Sequence, residues 1–385
     1  MIKRAIVPRL KKIAREYGVV SVTGPRQSGK TTLVRDIFPR HRYVNLEFLA
    51  DLETIKEDPA GFIDSIENGV IIDEIQRFPD LLSYIQVSID SKYKAGKFII
   101  TGSQNLLLSE KISQSLAGRV GILKLLPLTI DELKEAGLLQ PTYLETILTG
   151  FYPGIYDKKR TANIYYSNYL NTYVERDVRN IKNIGDLSAF NRFLQLLAGR
   201  VGQLVNLSEL GGLIGVNYKT IDSWLSVLEA SYVIFKLEPY YKNFGKRIIK
   251  SSKVYFTDVG LAAYLLRLDS VNELRNHFSL GGLFENMIIL DIYKRKLNSL
   301  STSKFYYFRD SKGVEIDLLI DKGGELLPIE IKASATFNGT YMENIKYFNE
   351  LSGNNSGYLI YTGRENNSIR NFKILNYKDT KSIKL

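Results

Sequence analysis

The stretch VVSVTGPRQSGKTT, residues 19–32, decides the fold of this chain. Five β-prone residues are followed by a loop that fits the pattern G-x-x-x-x-G-K-[ST], and a helical segment follows over Thr32–Ile37. A strand, a glycine-rich loop and a helix in this order direct backbone N–H groups and a helix N-terminus at a phosphate. The stretch therefore predicts an ATP-binding loop. Its predicted nucleotide-binding residues are Gly24, Pro25, Arg26, Gln27, Ser28, Gly29, Lys30, Thr31 and Thr32.

Two side chains of this loop and a second motif predict the chemistry. Lys30 is expected to reach the β- and γ-phosphates of ATP, and the Thr31 hydroxyl to bind Mg²⁺. The motif VIIDE, residues 70–74, is an apolar strand that ends in two acids. Because ligands bind at the carboxyl ends of parallel strands, Asp73 is expected to hold Mg²⁺ and Glu74 to polarise the attacking water. Alone, two acids would simply be a solvated strand end, but beside the loop they predict ATP hydrolysis.

Strands and helical segments alternate up to about residue 130, which predicts an α/β domain with a parallel sheet covered on both faces. From about residue 130 to 200 the pattern is helical, with an interruption at Gly150–Gly154. The strands are predicted at Val19–Thr23, Tyr43–Leu46, Val70–Asp73, Phe98–Thr101 and Val120–Leu126, and a helix is predicted at Leu81–Lys92.

Further catalytic candidates lie outside the two motifs. Ser103 follows the fourth predicted strand, where it is either a γ-phosphate sensor or a plain turn serine. Phosphoryl transfer also needs positive charge at the γ-phosphate, often supplied by a neighbouring molecule. Arg119, Arg176 and Arg179 are the candidates for this role, and structural salt bridges are the alternative.

The composition excludes several classes of site. The chain has no cysteine and two histidines, which argues against disulfides, thiolate zinc sites and a Ser-His-Asp mechanism. A net charge of +11 suits a polyanionic partner, nucleic acid first, although a basic proteome background would also produce it. No apolar run approaches the roughly 18 residues of a membrane span, so we expect a cytoplasmic protein with no membrane partner.

Residues 207–229 contain two helical segments joined by a turn at Gly215–Asn217, which is helix-turn-helix spacing. The second helix is expected to present Tyr218, Lys219 and Ser223 outward. A basic, β-prone stretch follows and predicts a wing that contacts DNA or RNA phosphates. Its residues are Lys236, Tyr240, Tyr241, Lys242, Phe244, Lys246, Arg247, Lys250 and Lys253. The alternative is a packed helical pair that serves as a domain contact.

Two later strands, predicted at 314–320 and 326–332, carry alternating charges. If they pair as a hairpin, Asp317, Glu330 and Lys332 converge on one face. Asp317 and Glu330 would then hold Mg²⁺ at a scissile phosphate while Lys332 orients water. An E-x-K sequence on a strand is also a common surface charge pair.

The motifs together resemble a known family. The segments GPRQSGKTTL, VIIDEIQRFPDL, FIITGSQ and SLAGRVGILKLLPLT resemble the ATPase domain of an AAA+-related family of archaea and bacteria, and NTYVERDV, VYFTDVGLAAYLL, LFENMII, VEIDLLI and LPIEIKAS resemble its C-terminal region of undefined function. This resemblance implies the strand order 5-1-4-3-2. The paired strands also resemble the restriction-endonuclease-like superfamily, in which a further acid comes from a preceding helix; Glu285 matches that position, and members can lose cutting activity.

These observations predict four regions: a P-loop ATPase domain at 1–135, a helical lid or connector at 136–200, a winged helix at 201–265 and an α/β restriction-endonuclease-like domain at 266–385. The predicted function is Mg²⁺-dependent ATP hydrolysis coupled to nucleic-acid binding or processing. The alternatives are an ATP-dependent switch that acts on a protein partner with an inactive nuclease-like domain, and a sequence-specific repressor. A homo-oligomer is compatible with each of them.

Overall fold

The computed structural model describes residues 2–103, 115–174, 186–240, 251–299 and 301–385. Within these ranges the N-terminal part forms one five-stranded parallel sheet in the order β2-β3-β4-β1-β5. Its strands are β1 (Val19–Thr23), β2 (Arg42–Asn45), β3 (Val70–Asp73), β4 (Phe98–Gly102) and β5 (Val120–Lys124). The predicted order 5-1-4-3-2 is the same arrangement and is confirmed.

Alternation along the strands divides the core of this domain into two layers. Val20 and Val22 enter one apolar cluster with Leu33 of the helix after the nucleotide loop. Val19 enters the other, with Ile85 of a helix on the opposite face. The helices of this part are Val7–Glu16, Lys30–Ile37, Leu49–Glu57, Pro59–Asp64, Leu81–Ser91 and Ile130–Glu135, with a 3₁₀ turn at Ile75–Arg77. A sheet buried on both faces requires continuous apolar strands, and β1, β3 and β4 are buried along their whole length.

The middle of the described chain is helical, as predicted. Its helices are Tyr143–Thr149, Pro153–Asp157, Ala162–Tyr169, a π-helical turn at Leu170–Val174, Leu187–Gly199, Leu207–Ile214 and Tyr218–Ala230. The last two form the predicted helix-turn-helix pair. Gly215 ends the first with a φ of 87°, and the Asn217 side chain caps the second by accepting the Thr220 backbone N–H.

The second sheet has eight described strands in the order β12-β13-β11-β10-β9-β8-β6-β7. They are β6 (Ile234–Pro239), β7 (Lys253–Phe256), β8 (Lys304–Arg309), β9 (Glu315–Asp321), β10 (Leu326–Lys332), β11 (Gly357–Tyr361), β12 (Asn367–Ile369) and β13 (Phe372–Asn376). The hairpin between β9 and β10 is antiparallel, with Ile329 opposite Leu318.

The hairpin of β6 and β7 extends this sheet, because β6 pairs with β8 through Glu238 and Tyr306. The boundary predicted between residues 265 and 266 therefore divides strands that share one sheet. A local pattern does not reveal such pairing because 68 residues separate Glu238 from its partner Tyr306 (306 minus 238).

The remaining helices are Val259–Leu265, Val271–Asn276, Leu280–Asn298 and Glu343–Ser352, with 3₁₀ turns at Gly339–Met342 and Tyr377–Ser382. The helix Leu280–Asn298 connects the two halves of the chain. Its Asp291 side chain accepts the backbone N–H of Ile130, and its Lys294 ammonium donates to the Leu128 carbonyl at 3.0 Å. No helix among the described residues is long and apolar enough to cross a membrane.

Candidate nucleotide site and carboxylate cluster

The backbone conformation of the nucleotide loop explains why glycine occurs at particular positions in it. Gly24 has a φ of 149°, and a Cβ atom there would lie 2.1 Å from the Leu125 carbonyl oxygen, so only glycine fits. Gln27 and Gly29 adopt left-handed conformations with φ of 61° and 92°. Turns of this kind direct backbone N–H groups at an anion. The helix begins at Lys30, two residues before the predicted start at Thr32.

The side chains of Lys30 and Thr31 are held by contacts within and beside the loop. The Lys30 ammonium is buried and donates to the carbonyl oxygens of Gly24 at 3.0 Å and Pro25 at 2.9 Å. The Thr31 hydroxyl donates to the Asp73 carboxylate at 2.7 Å. The structure thus brings the two predicted Mg²⁺ ligands together.

Asp73 is held at the end of β3 by hydroxyl groups from both neighbouring strands. It accepts the Tyr43 hydroxyl at 2.9 Å and the Thr101 hydroxyl. Burial, and then the Asp73 charge, raises the pKa of Tyr43 above its ordinary value, so Tyr43 stays a donor. Carboxylate and hydroxyl oxygens are the ligands that Mg²⁺ prefers, so Thr31 and Asp73 fit that ion. Sequence reasoning missed Tyr43 and Thr101, although both lie on strands that flank β3.

Glu74 follows β3 in a left-handed conformation with a φ of 56°. Its carboxylate accepts the Ser103 hydroxyl at 3.3 Å, so two predicted catalytic residues are brought together. The Gln76 amide donates to Glu74 and, at 3.3 Å, to Ser103. Gln76 was not predicted. Its position two residues after the acidic pair is the signal that could have identified it.

The loop forms one wall of a cleft of about 480 Å³. Arg26, Lys30, Thr31 and Glu74 line this wall. Residues of the helical region also line the cleft; they are Pro153, Gly154, Asp157, Lys158 and Arg160. Sequence reasoning noted the interruption at Gly150–Gly154 but assigned none of these residues to the site.

Arg4 joins the loop to the residues after β5. Its guanidinium donates to the Ser28 carbonyl at 2.9 Å and the Leu126 carbonyl at 2.6 Å, and it pairs with Glu132 at 3.1 Å. Arg4 is buried. It was missed because a single arginine near the N-terminus belongs to no motif.

Arg119 lies at the opposite edge of the sheet from the cleft. Its carbonyl oxygen accepts the backbone N–H of Val19, where β1 begins, and its guanidinium pairs with Asp90 at 2.5 Å. Parallel strands put their amino ends at one edge, so a residue just before β5 is remote from its own chain's loop. A role for Arg119 at a neighbouring molecule's site stays a prediction, and Arg176 and Arg179 lie outside the described residues.

The charged residues of β9 and β10 converge as predicted. The Lys332 ammonium lies 2.7 Å from the Glu330 carboxylate and 3.6 Å from the Asp317 carboxylate. Asp317 also accepts the backbone N–H of Ile331 at 2.8 Å. Glu330 is fully buried, and burial, together with the Asp317 charge, raises the pKa of Glu330 well above its ordinary value.

Glu285 joins this cluster from the helix Leu280–Asn298. Its carboxylate accepts the Tyr255 hydroxyl at 2.5 Å and pairs with the Lys253 ammonium at 3.1 Å. The same ammonium lies 2.5 Å from Glu315. Burial, reinforced by the Asp317 charge and opposed by Lys253, raises the pKa of Glu285 to about 7. Burial alone would lower the pKa of Lys253, but the surrounding carboxylates outweigh it and raise that pKa.

Asp317 and Glu330 both lie beside the Lys332 ammonium, and their role as Mg²⁺ ligands stays a prediction. One expectation about this half needs correction. Lys253 does not serve as a phosphate contact of a wing, because its side chain is buried among carboxylates.

On the helix-turn-helix pair, Tyr218 and Lys219 are exposed and Ser223 is half-buried. Lys236 pairs with Glu229 at 3.1 Å. Tyr240 is half-buried, and the other predicted wing residues, Tyr241, Lys242, Phe244, Lys246, Arg247 and Lys250, lie outside the described residues.

Comparison with known families agrees with the geometry of the cleft. Residues 16–134 match the model of an AAA domain. The chain carries an AAA ATPase domain. Residues 140–272 and 280–379 match two domains of unknown function, DUF8612 and DUF4143. The AAA domain is therefore followed by a C-terminal region of undefined function, as the resemblance implied.

Proteins similar to this chain occur in bacteria and archaea. An uncharacterized protein of Mycobacterium tuberculosis is 28% identical over 343 residues, which cover 87% of this chain and 74% of the relative. An uncharacterized protein of Methanocaldococcus jannaschii is 24% identical over 332 residues, 78% of this chain and 71% of the relative. Among solved structures, a Walker-type ATPase of Pyrococcus abyssi has a TM-score of 0.48 at 15% identity and covers 69% of this chain and 96% of its own.

Proposed function

We propose that the AAA domain binds ATP with Mg²⁺ and hydrolyses it to ADP and phosphate. The contact that carries this proposal is the 2.7 Å hydrogen bond between Thr31 and Asp73, in the cleft that Lys30 also lines. It joins the loop that would bind the phosphates to the strand end that would hold the metal. Bound Mg²⁺ would neutralise charge on the β- and γ-phosphates.

Within this proposal the residues of the cleft have separate roles. The loop N–H groups and Lys30 bind the phosphates, and Thr31 and Asp73 hold the ion. Glu74 lines the same cleft and accepts the proton of the water that attacks the γ-phosphate. Ser103 donates to Glu74 at 3.3 Å and orients its carboxylate.

We further propose that hydrolysis controls the C-terminal region, with residues 136–200 as a helical lid and 201–265 as a winged helix. The β6–β7 hairpin of this winged helix extends the sheet of a restriction-endonuclease-like domain at 266–385. Nucleic acid is the leading partner. The net charge of +11 and the exposed Tyr218 and Lys219 on the second helix of the pair support this choice.

A second candidate is an ATP-dependent switch that acts on a protein partner, with the nuclease-like cluster inactive. The ion pairs of Lys253 with Glu285 and Glu315 favour it, because they place an ammonium group inside the cluster. Lys332 likewise lies between Asp317 and Glu330.

Phosphate release tests the main proposal. Lys30→Ala and Glu74→Gln should each abolish ATP hydrolysis, and Glu74→Gln should still bind ATP. Wild-type rates in both variants would reject the assigned site.

For the C-terminal region, the full chain is incubated with ATP and Mg²⁺ or Mn²⁺ on linear, branched and single-stranded DNA. Cutting that Asp317→Ala and Glu330→Ala remove supports a nuclease, and intact DNA throughout supports the switch.

A further inference from the structure

Arg26 is the third residue of the nucleotide loop and has a side chain of the type that stabilises phosphoryl transfer. It lines the cleft together with Lys30 and Glu74, and only 10% of its side chain is exposed. Its guanidinium lies 3.4 Å from the Glu47 carboxylate. Because Arg26 belongs to the loop, it stays beside any phosphate that the loop binds.

Glu47 is shared between two arginines. Its Oε1 atom lies 3.4 Å from both Arg26 and Arg77. Contacts of this length are weaker than the roughly 2.7–2.9 Å of a well-formed charged hydrogen bond. Arg77 is absent from the described lining of the cleft, so the two arginines share a carboxylate but differ in their access to the nucleotide.

We propose that Arg26 is an arginine supplied by the chain itself that contacts the γ-phosphate, and that Glu47 holds it in place before ATP binds. This inference rests on the proposed ATP hydrolysis. A guanidinium that contacts a carboxylate at 3.4 Å can exchange that contact for the γ-phosphate group, which carries more negative charge and can accept two parallel N–H···O hydrogen bonds. Glu47 then keeps its contact with Arg77.

Arg26 would take no part in proton transfer. In the reaction, the bond between the water oxygen and the γ-phosphorus forms, the bond from that phosphorus to the ADP oxygen breaks, and the water proton passes to Glu74. The guanidinium keeps all its protons and stabilises the negative charge on the transferring group.

The test compares Arg26→Ala with Arg77→Ala, which removes the other partner of Glu47. We expect Arg26→Ala to lower kcat by roughly 10²–10³-fold, as the loss of one transition-state donor does. It should weaken binding of ATP and of ADP with aluminium fluoride, but leave ADP affinity within about twofold, because ADP has no γ-phosphate. Unchanged ADP affinity also shows that the variant is folded. Arg77→Ala should keep the wild-type preference for ATP over ADP.

The outcomes separate the two proposals. If the wild-type chain binds or hydrolyses no ATP, the proposed function fails. If the wild-type chain hydrolyses ATP and Arg26→Ala does so at the same rate, or loses ATP and ADP affinity equally, the assignment of Arg26 alone is overturned. Arg26→Lys should restore part of the ATP preference, since it returns charge without the two-pronged geometry.

Discussion

The hydroxyl of Tyr232 donates a hydrogen bond of 2.9 Å to the hydroxyl of Thr23, the last residue of β1 before the nucleotide loop. Both residues are buried, and Thr23 in turn donates to the Leu123 carbonyl of β5 at 3.3 Å. Burial raises the pKa of Tyr232 to about 12, so it remains a donor at neutral pH. Tyr232 lies just beyond the helix-turn-helix pair, which therefore contacts the AAA domain directly beside its loop.

We expect Tyr232→Phe to lower the free energy of unfolding by about 1 kcal/mol, because it removes one buried hydrogen bond and keeps the ring. Thr23→Val should have a similar cost. In a double-mutant cycle, measured by urea unfolding, the two changes should be coupled by about 0.5 kcal/mol or more. Additive effects would mean that the contact contributes nothing of its own.

The hydroxyl groups around Asp73 predict a graded effect on metal affinity. Asp73→Asn should remove most Mg²⁺-dependent ATP hydrolysis, because it takes away a charged ligand. Tyr43→Phe leaves the carboxylate but removes one of its donors, so it should raise the Mg²⁺ concentration for half-maximal activity by roughly tenfold. Magnesium titrations of phosphate release measure both. An unchanged titration in Asp73→Asn would place the ion elsewhere.

Arg160 predicts a binding effect that differs from that of Arg26. It lines the cleft together with Pro153 and Gly154, which belong to a different segment of the chain from the loop. We expect Arg160→Ala to weaken the binding of ATP and of ADP by the same factor, about tenfold, which corresponds to the loss of one charged contact. Titrations with fluorescent ATP and ADP measure the ratio. A loss confined to ATP would move the γ-phosphate role from Arg26 to Arg160.

The local sequence predicted the parts of the molecule whose structure depends on residues close together in the chain. The strand, loop and helix around Lys30 are local, and so is the acidic end of β3. Alternation along β9 and β10 was enough to bring Asp317, Glu330 and Lys332 to one face.

Contacts between distant segments were beyond reach because no local pattern encodes them. Arg4 binds Ser28 and Glu132, and Arg160 reaches the cleft from the middle of the chain. Lys253 was assigned to an exposed wing because its neighbours are basic. The packing of β7 against the helix Leu280–Asn298 buries it beside Glu285.

The raised pKa of Glu285 predicts that the free energy of unfolding decreases as the pH rises. Its folded value of about 7 lies above its ordinary value of 4.5, so between these values the native protein keeps a proton that the unfolded chain loses. The stabilisation is complete below about pH 4.5 and is lost by about pH 7, with a slope of at most about 1.4 kcal/mol per unit. Urea unfolding from pH 4.5 to 8 measures it. Glu285→Gln should flatten this part of the profile, and an identical slope in the variant would assign the titration to another group.

Among the residues of this cluster, Lys253 should be the one whose replacement lowers the free energy of unfolding most. Lys253→Met keeps the length of a buried side chain but leaves Glu285 and Glu315 without their shared cation. Breaking a buried ion pair in this way costs about 3–5 kcal/mol of unfolding free energy. The matched control is Lys236→Met on the adjoining strand β6, whose partner Glu229 is well exposed, and it should cost less than about 1 kcal/mol.

Adding Glu285→Gln to Lys253→Met should recover part of the loss, because it removes one of the uncompensated carboxylates. Thermal and urea unfolding of the single and double variants measure this recovery at pH 8, where both Glu285 and Lys253 are charged in the native protein. If Lys253→Met costs no more than Lys236→Met, or if the double variant is simply the sum of the singles, the ammonium does not neutralise these carboxylates. The cluster would then have to be balanced by Lys332 and by Arg309, which pairs with Glu315.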